Sequence, residues 1–230
     1  MDSFATKFKE FANENDIKYR DISIYFQAFT HKTFANEHNI KCNERLEYIG
    51  DAILDFLVGE FLYETYPDAP EGELTKKRAS YVNNEANKAY ALKLGLDKLL
   101  LLGHGEEVQG GRNKVNILGD LFEAFLGAVY MDSKKISQVR NILKKIVFPN
   151  IVDETDFIKD YKSKLQELMQ AENRKSVTYC CDKEEGPSNE RLFYFSVYFE
   201  GAKLGEGVGR SKKEAEQTAA LDALKKSAVK

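Results

Sequence analysis

The chain has 230 residues, of which 43% are hydrophobic, and a formal net charge of −3 at pH 7. This length and composition support one large domain or two smaller ones with a hydrophobic core, and they exclude a mainly disordered chain. No apolar run approaches the roughly 20 residues of a membrane helix, and the acidic first segment argues against a signal or transit peptide. The three cysteines are odd in number and lack metal-site spacing, so we expect reduced thiols, a cytoplasmic protein and no membrane association.

Neither part of the chain is strongly basic. Residues 1–155 carry 20 Lys and Arg against 24 Asp and Glu, a net charge of −4, whereas residues 156–230 carry 14 against 13, a net charge of +1. Binding of a nucleic acid would therefore depend on the local placement of Lys and Arg, and its affinity would fall as the salt concentration rises.

Helical patterns dominate the first 148 residues. Phe4, Phe8 and Phe11 recur at the spacing of one helical face. Longer helices are predicted at about 43–66, 71–95, 114–131 and 136–148, with a glycine-rich loop at 103–111. The residues expected to face inward on the helix at 71–95 are Leu74, Tyr81, Ala89 and Leu92. We therefore predict an all-α domain over residues 1–150.

The pattern changes after a polar, acidic segment that follows Pro149. We predict a linker at 151–159 and a second domain at 160–229. A short amphipathic helix with Tyr161 and Leu165 on its apolar side precedes strands predicted at about 177–181, 193–199 and 203–208. A helix follows from Ser211, so the predicted order is α-β-β-β-α and the predicted class of this domain is α+β.

The helix predicted at 114–131 carries an unusual pair of acidic residues. The 17 residues between Lys114 and Asp132 include only two charged side chains, Asp120 and Glu123. A helix that is apolar on nearly all sides is buried, and a buried carboxylate requires a partner because its desolvation costs several kcal/mol. At a spacing of i, i+3 the two carboxylates point to the same side of the helix.

A second helix, at 43–66, repeats this anomaly with Glu44, Glu47 and Asp51 on one stripe beside apolar residues. If the two acidic stripes face each other, four or five carboxylates converge and require cations. A solvated acidic face is one alternative. Another is a set of salt bridges to basic residues, for which the candidates are Arg45, Lys76, Lys77 and Arg78.

No His or Cys accompanies the acidic residues at a metal-binding spacing. An all-oxygen site suits hard cations, so we expect Mg²⁺, with Mn²⁺ able to replace it, and no organic cofactor. Such cations indicate phosphate chemistry, because one ion lowers the pKa of a bound water and a neighbouring ion stabilises the leaving oxygen.

The segment Asn43-Glu44-Arg45-Leu46-Glu47-Tyr48-Ile49-Gly50-Asp51 resembles the signature of the ribonuclease III family. Two further segments follow at suitable intervals, Glu71-Gly72-Glu73-Leu74 and Gly119-Asp120-Leu121-Phe122-Glu123-Ala124, and the match covers nearly the whole chain. The resemblance implies an endoribonuclease that hydrolyses both strands of duplex RNA and leaves 5′-phosphate and 3′-hydroxyl ends with short 3′ overhangs. It also implies a role in processing ribosomal and other structured RNA precursors.

The resemblance assigns roles to six acidic residues. The implied metal ligands are Glu47, Asp51, Asp120 and Glu123. Asp51 and Glu123 are the implied catalytic residues, and Glu44 and Glu71 support the cleavage. Glu44 and Glu71 also have structural alternatives, because the first can cap its helix and the second can interact with the dipole of the next helix.

The family works as a homodimer, and a two-fold dimer presents two acidic clusters, one for each RNA strand. Tyr48 stands where the family usually has Phe, at an aromatic position that belongs to the dimer contact. Its hydroxyl group requires a hydrogen-bond partner if it is buried there.

The α-β-β-β-α segment resembles a double-stranded RNA-binding domain. Ser211-Lys212-Lys213-Glu214 is a capping box, so its two lysines lie in the first turn of a helix. The dipole at a helix N-terminus disfavours cations, so two lysines there suit the binding of a phosphate better than the stability of the helix. Solvated lysines are the alternative. The RNA contacts that the resemblance implies are Ser163, Gln166, Glu167, Asn189, Lys212 and Lys213. Asn189 stands where a His is common in the family.

Two other functions stay open from the sequence. A non-catalytic RNA-binding or ribosome-associated protein could keep this fold, but loss of the acidic residues would be its mark, and all six are present. A metal-dependent hydrolase of small phosphorylated molecules has no use for the second domain.

Overall fold

The computed structural model describes residues 2–153, 161–173, 176–187 and 191–227. The chain divides into two compact units, Met1–Ile158 and Lys159–Lys230. None of the helices in these described ranges combines the length and apolarity that crossing a bilayer requires.

The first unit is helical, as the sequence predicts. Its helices are α1 (Asp2–Glu14), α2 (Ile22–Ala28), α3 (Lys32–His38), α4 (Glu44–Thr65), α5 (Glu71–Val82), α6 (Asn84–Leu94), α7 (His104–Val108), α8 (Val115–Ser133), α9 (Ile136–Ile146) and α10 (Phe148–Val152). The short helix α7 lies within the glycine-rich segment that the sequence suggests to be a loop.

Helix α8 lies at the centre of the hydrophobic core and packs against α2, α4 and α6. Leu118, Leu121, Phe122 and Phe125 on this helix are fully buried. Burial of each such side chain contributes about 1.5–3 kcal/mol, so the nearly uncharged sequence of α8 fixes the helix in the interior. This burial of α8 brings Asp120 and Glu123 to the core of the unit, where Glu123 is buried and Asp120 is half-buried.

The prediction of one continuous helix at 71–95 is wrong. The chain breaks at Asn83, whose backbone is extended (φ −76°, ψ 165°). The Asn83 side chain accepts hydrogen bonds from the backbone N–H groups of Glu85 at 3.0 Å and Ala86 at 3.1 Å, and it caps α6. Asn prefers such caps because its side chain competes with the helical backbone. Leu92, expected to face inward, is 46% exposed.

The second unit has the predicted order α-β-β-β-α. Its elements are α11 (Tyr161–Asn173), β1 (Thr178–Glu185), β2 (Leu192–Phe199), β3 (Ala202–Gly209) and α12 (Lys212–Ser227). The strands form an antiparallel sheet in the order β1-β2-β3. Phe195 and Val197 of β2 share a small core with Leu165 of α11 and Ala219 of α12. Gly207 of β3 permits the close approach of α12, because a Cβ there would lie 2.2 Å from the Ala219 nitrogen.

Candidate metal centre

Helices α4 and α8 cross in backbone contact at two glycines. A Cβ on Gly50 would lie 1.8 Å from the carbonyl oxygen of Glu123, and a Cβ on Gly127 would lie 2.0 Å from the carbonyl oxygen of Leu46. Real Cβ atoms essentially never approach a heavy atom within 3.0 Å, so only glycine fits at either position. Because Glu47 lies one helical turn before Gly50, this crossing sets its carboxylate against the acidic residues of α8.

Three of the predicted metal ligands converge at the crossing. Glu47 of α4 and Asp120 and Glu123 of α8 each offer a carboxylate oxygen, and these three atoms all lie within 4.8 Å of one another. Glu123 is buried, with 8% of its surface exposed, whereas Glu47 and Asp120 are half-buried. We call these three residues the carboxylate cluster. Its donors are all hard oxygen atoms, which suits Mg²⁺ or Mn²⁺.

The electrostatics of the carboxylate cluster favour a bound cation. Burial, followed by the charges of Asp51, Asp120 and Glu47, raises the pKa of Glu123 from 4.5 to about 8. Burial and the charge of Asp120 raise the pKa of Glu47 to about 6. Burial also raises the pKa of Asp120, although the charge of Lys32 opposes this rise. Salt bridges would lower these pKa values, so their rise argues against the alternative in which Lys and Arg neutralise the acids.

Asp51, the fourth predicted ligand, lies at the edge of the carboxylate cluster. Its side chain is exposed, and it is not one of the three residues whose oxygens converge. Its charge is nevertheless the carboxylate charge with the largest effect on the pKa of Glu123. Burial and the charge of Asp55 raise the pKa of Asp51 itself. Asp51 is therefore electrostatically coupled to the buried acid of the cluster.

The two supporting acids predicted from the sequence have different surroundings. Glu44 is the exposed first residue of α4, next to the Cys42 thiol at 3.5 Å, and its charge contributes to the raised pKa of Glu47. Glu71 is the exposed first residue of α5, and its carboxylate accepts a hydrogen bond from the Thr75 hydroxyl at 3.0 Å. The structure thus relates Glu44 to the carboxylate cluster electrostatically, whereas Glu71 contacts its own helix.

A further buried acid on α8 has a structural role. Asp132, which is 8% exposed, accepts hydrogen bonds from the backbone N–H groups of Arg20 at 2.8 Å and Asp21 at 2.9 Å. These bonds tie the end of α8 to the start of α2. Burial of an acidic residue on this helix therefore does not by itself indicate a metal ligand, and the convergence of Asp120 and Glu123 with Glu47 is the decisive feature.

One residue that contacts the cluster was missed in the sequence. Asn87 of α6 is fully buried, and its Nδ2 atom donates a hydrogen bond to Oε1 of Glu123 at 2.7 Å. Asn87 shares a helical face with the buried residues Tyr90, Ala91 and Leu94. A polar side chain on an apolar face was the signal that could have revealed it.

The lysines predicted to contact RNA lie at the start of α12. Lys212 and Lys213 are exposed. One bond of the predicted capping box is present, since the Ser211 hydroxyl accepts from the Glu214 N–H at 3.2 Å, whereas the Glu214 carboxylate accepts from the N–H of Arg210, one residue before the cap, at 2.7 Å. Lys212 is not simply solvated, because its Nζ lies 2.9 Å from the carboxylate of Glu184.

The polar residues predicted on α11 have mixed environments. Ser163 and Glu167 are exposed. Gln166 is half-buried and bridges to the start of β1, donating to the Ser176 hydroxyl at 3.2 Å and accepting from the Val177 N–H at 3.3 Å. Asn189, the remaining predicted RNA contact, lies outside the described residues.

Two family models match the chain in separate segments. Residues 21–151 match the model described as Ribonuclease-III-like, and residues 161–227 match the Double-stranded RNA binding motif. The chain belongs to the ribonuclease III family. This membership confirms the predicted family, the predicted fold class and the assignment as an endoribonuclease with a double-stranded RNA-binding domain.

Curated relatives named Ribonuclease 3 are similar to this ribonuclease III along nearly its whole length. Ribonuclease 3 of Enterococcus faecalis is 44% identical over 214 residues, covering 91% of this chain and 92% of the relative. Ribonuclease 3 of Streptococcus pneumoniae is 43% identical over 218 residues, covering 93% and 94%. A solved nuclease domain of ribonuclease III from Campylobacter jejuni is 33% identical with a TM-score of 0.57, covering 61% of this chain and 95% of that domain. That structure is described as flexible in a region involved in its dimer formation.

Helix α4 of this ribonuclease III also carries exposed aromatic residues. Tyr48, Phe56 and Tyr63 are 79%, 60% and 73% exposed, and their spacing groups them on one side of the helix. Large exposed aromatic side chains on a single helix side are typical of a protein interaction surface. Tyr48 is exposed in the single chain, and its hydroxyl would need a hydrogen-bond partner if a dimer contact buried it.

Proposed function

We propose that this ribonuclease III hydrolyses both strands of duplex RNA with divalent cations held at the carboxylate cluster. The observation that carries the proposal is the convergence of Glu47, Asp120 and Glu123 within 4.8 Å. Three carboxylates held this close in a largely buried setting repel one another, and a divalent cation relieves that repulsion. Mg²⁺ is the proposed cofactor, and Mn²⁺ is proposed to replace it.

The residues of the cluster fit Mg²⁺ in number and in chemistry. Mg²⁺ takes oxygen ligands in octahedral geometry and keeps several waters, so a few carboxylates suffice for one ion. We propose Asp51 as the fourth ligand, supported by its charge coupling to Glu123. We propose supporting roles for Glu44, whose charge reaches Glu47, and for Glu71.

The chemistry follows from a phosphodiester held at this cluster. Glu47, Asp51, Asp120 and Glu123 would hold the divalent cations, which would lower the pKa of a water and stabilise the charge on the leaving oxygen. Glu123 and Asp51, ionised when a cation is bound, would hold that cation beside the phosphodiester. The oxygen of water bonds to phosphorus, the bond from phosphorus to the 3′ oxygen breaks, and the 3′ oxygen takes up a proton while the water oxygen loses one. The products are therefore a 5′-phosphate end and a 3′-hydroxyl end.

We propose that the second domain holds the duplex. Lys212 and Lys213, at the N-terminus of α12, supply positive charge and backbone N–H groups to phosphates. Ser163, Gln166 and Glu167 on α11 are proposed to meet 2′-hydroxyl groups in the shallow minor groove of A-form RNA. Asn189 is proposed as a further contact from the sequence resemblance.

We propose a homodimer formed through the exposed side of α4. The support is the group of exposed aromatic residues Tyr48, Phe56 and Tyr63 on a helix that also carries two proposed ligands. A two-fold dimer places one carboxylate cluster at each RNA strand, and a displacement between the two cuts leaves short 3′ overhangs. A cytoplasmic location and substrates among ribosomal and other structured RNA precursors complete the proposal, the former supported by the three free cysteines.

The activity is tested with purified protein and an end-labelled RNA duplex in the presence of Mg²⁺. We expect cleavage of both strands, loss of cleavage with a chelator, and loss of cleavage in the Asp51→Asn, Glu123→Gln double variant. Glu10→Gln, which removes an exposed carboxylate on α1, is the matched control and is expected to cleave as the wild type. Equal cleavage by the double variant and the control would refute the metal site.

The same RNA duplex distinguishes a nuclease from the alternative, a non-catalytic RNA-binding protein. A non-catalytic RNA-binding protein would retain the duplex in a gel-shift assay without cutting it at any Mg²⁺ concentration. Sensitivity of the new 5′ ends to phosphatase tests the predicted end chemistry. Products with 3′-phosphate ends would contradict the proposed direction of bond breakage.

A further inference from the structure

Asn87 donates a hydrogen bond from its side-chain amide to the carboxylate cluster. It is fully buried on α6, and its Nδ2 atom donates to Oε1 of Glu123 at 2.7 Å. We propose that Asn87 is a positioning residue that fixes the Glu123 carboxylate for cation binding. The inference rests on the proposed metal site.

The orientation of the Asn87 amide is fixed by its surroundings. Its Nδ2 atom has two acceptors, since it also donates to the Val82 carbonyl oxygen at 3.2 Å. A rotated amide would set Oδ1 against two oxygen atoms and lose both bonds. In the fixed orientation, Nδ2 holds one oxygen of Glu123 and leaves the other oxygen for a cation.

This arrangement has an energetic cost that packing alone does not explain. The Oδ1 atom of Asn87 is buried and has no hydrogen-bond partner among the described residues. A buried polar atom without a partner costs about 1–3 kcal/mol, and an apolar side chain in the same space would avoid that cost. The neighbouring buried residues Ala86, Tyr90 and Ala91 make an apolar side chain the simpler choice at this position.

A neutral amide suits a ligand carboxylate better than a charged donor does. Lys or Arg at this position would orient Glu123 but would also cancel the negative charge that attracts a cation. The Asn87 amide orients the carboxylate and leaves its charge in place. Partners of this kind fix the direction of metal ligands, and their loss typically weakens metal binding by about 10–100-fold.

A purely structural role for Asn87 makes a different prediction. Its bond to the Val82 carbonyl ties the end of α5 to α6, so loss of the side chain also affects the helix break at Asn83. A structural role would lower the stability of the metal-free protein and leave the metal affinity of the folded protein unchanged. The decisive measurement is therefore cation binding, made separately from activity.

The experiment titrates metal-free full-length protein with Mn²⁺ in a calorimeter, for the wild type, Asn87→Leu and Asn87→Ala. We expect the two variants to bind Mn²⁺ about 10–100-fold more weakly than the wild type. Asn84→Ala is the matched control, because it removes an exposed amide bond to Asn116, at 3.1 Å, between the same two helices α6 and α8. This control is expected to bind Mn²⁺ as the wild type does. Thermal unfolding of each metal-free protein reports separately on stability.

The outcomes distinguish the positioning role of Asn87 from the proposed metal site. Wild-type Mn²⁺ affinity in a folded Asn87 variant would overturn the inference and leave the proposed function intact, whereas absence of Mn²⁺ binding by the wild type would overturn the proposed metal site itself. If neither variant folds, the side-chain amide resonance of Asn87 in the ¹⁵N-labelled wild type is followed during Mg²⁺ titration. A shift supports the coupling to Glu123, and an unchanged resonance in a protein that binds Mg²⁺ overturns it.

Discussion

Glu123→Gln is expected to abolish RNA cleavage and at the same time to stabilise the metal-free protein. Burial and neighbouring carboxylates raise the pKa of Glu123 from 4.5 to about 8 in the folded chain. A group with a raised folded-state pKa contributes stability below its unfolded pKa, and this stability is lost as the pH rises through the folded pKa. The loss for Glu123 therefore occurs between about pH 4.5 and pH 8.

The size of the effect follows from the two pKa values. One pKa unit corresponds to about 1.4 kcal/mol, so the rise from 4.5 to about 8 gives a full penalty of about 5 kcal/mol, of which about 4 kcal/mol is present at pH 8, where Glu123 is half ionised. Local relaxation and water penetration reduce such penalties, and we expect Gln to recover about 2 kcal/mol at pH 8. The gain at pH 5 is expected to be below about 1 kcal/mol, because Glu123 is then largely protonated in the folded state. Gln also keeps an acceptor oxygen for Asn87.

The assay is urea unfolding in the presence of a chelator at pH 5 and pH 8, with Glu10→Gln as the exposed control. The control is expected to change the free energy of unfolding by less than about 0.5 kcal/mol at both pH values. Added Mg²⁺ is expected to stabilise the wild type and to stabilise Glu123→Gln much less, because a ligand stabilises only the state that binds it. A gain that is equal at pH 5 and pH 8, or no gain at pH 8, would refute the electrostatic reasoning.

Three further predictions concern the helix crossing, the RNA-binding surface and the dimer. Gly50→Ala is expected to destabilise the first unit by about 3 kcal/mol or more in thermal unfolding, whereas Gly72→Ala, in open space, is expected to gain up to about 1 kcal/mol. Glu184→Gln removes the ion pair that holds Lys212 and is expected to tighten duplex RNA binding several-fold at low salt in a filter-binding assay. Unchanged affinity would exclude Lys212 as a phosphate contact. Phe56→Glu is expected to yield a monomer in light scattering, and a persistent dimer would exclude this side of α4 as the interface.

The burial of α8 could be predicted because it is encoded locally. A run of apolar residues around Asp120 and Glu123 leaves no solvent-facing side, and the structure confirms that Glu123 is buried in the core. The facing stripe on α4 was predicted from its spacing, and Glu47 does meet the two acids of α8. Local composition and helical periodicity carry this part of the site.

The helix break at Asn83 was missed from the sequence, because ending one helix and capping the next there is close in energy to continuing a single helix. The segment 71–95 keeps apolar residues at roughly helical spacing on both sides of Asn83, so periodicity alone predicts one helix. The two bonds that Asn83 accepts from the start of α6 reverse that preference locally. Adjacent asparagines at 83 and 84 were the available signal.

The contact between Asn87 and Glu123 could not be predicted, because it joins residues 36 positions apart in the chain. The same limit applies to the crossing at Gly50 and Gly127, where each glycine opposes a backbone carbonyl of the other helix. Sequence patterns report which face of a helix is buried, but they do not report which atom of a distant helix lies opposite. Asp51, whose exposed side chain stands outside the three converging oxygens, illustrates the same point.

The carboxylate cluster persists in the metal-free chain because its cost is smaller than the packing that surrounds it. The penalty of about 4 kcal/mol at Glu123 is offset by only two or three buried apolar side chains at about 1.5–3 kcal/mol each, and α4 and α8 contribute many more. The backbones of α4 and α8 are in close contact at Gly50 and Gly127, so the helices cannot separate to relieve the repulsion without losing that packing. The apolar interface therefore holds the acids in a state that only protonation or a bound cation relaxes, and the preference for a bound cation grows as the pH rises toward the Glu123 pKa of about 8.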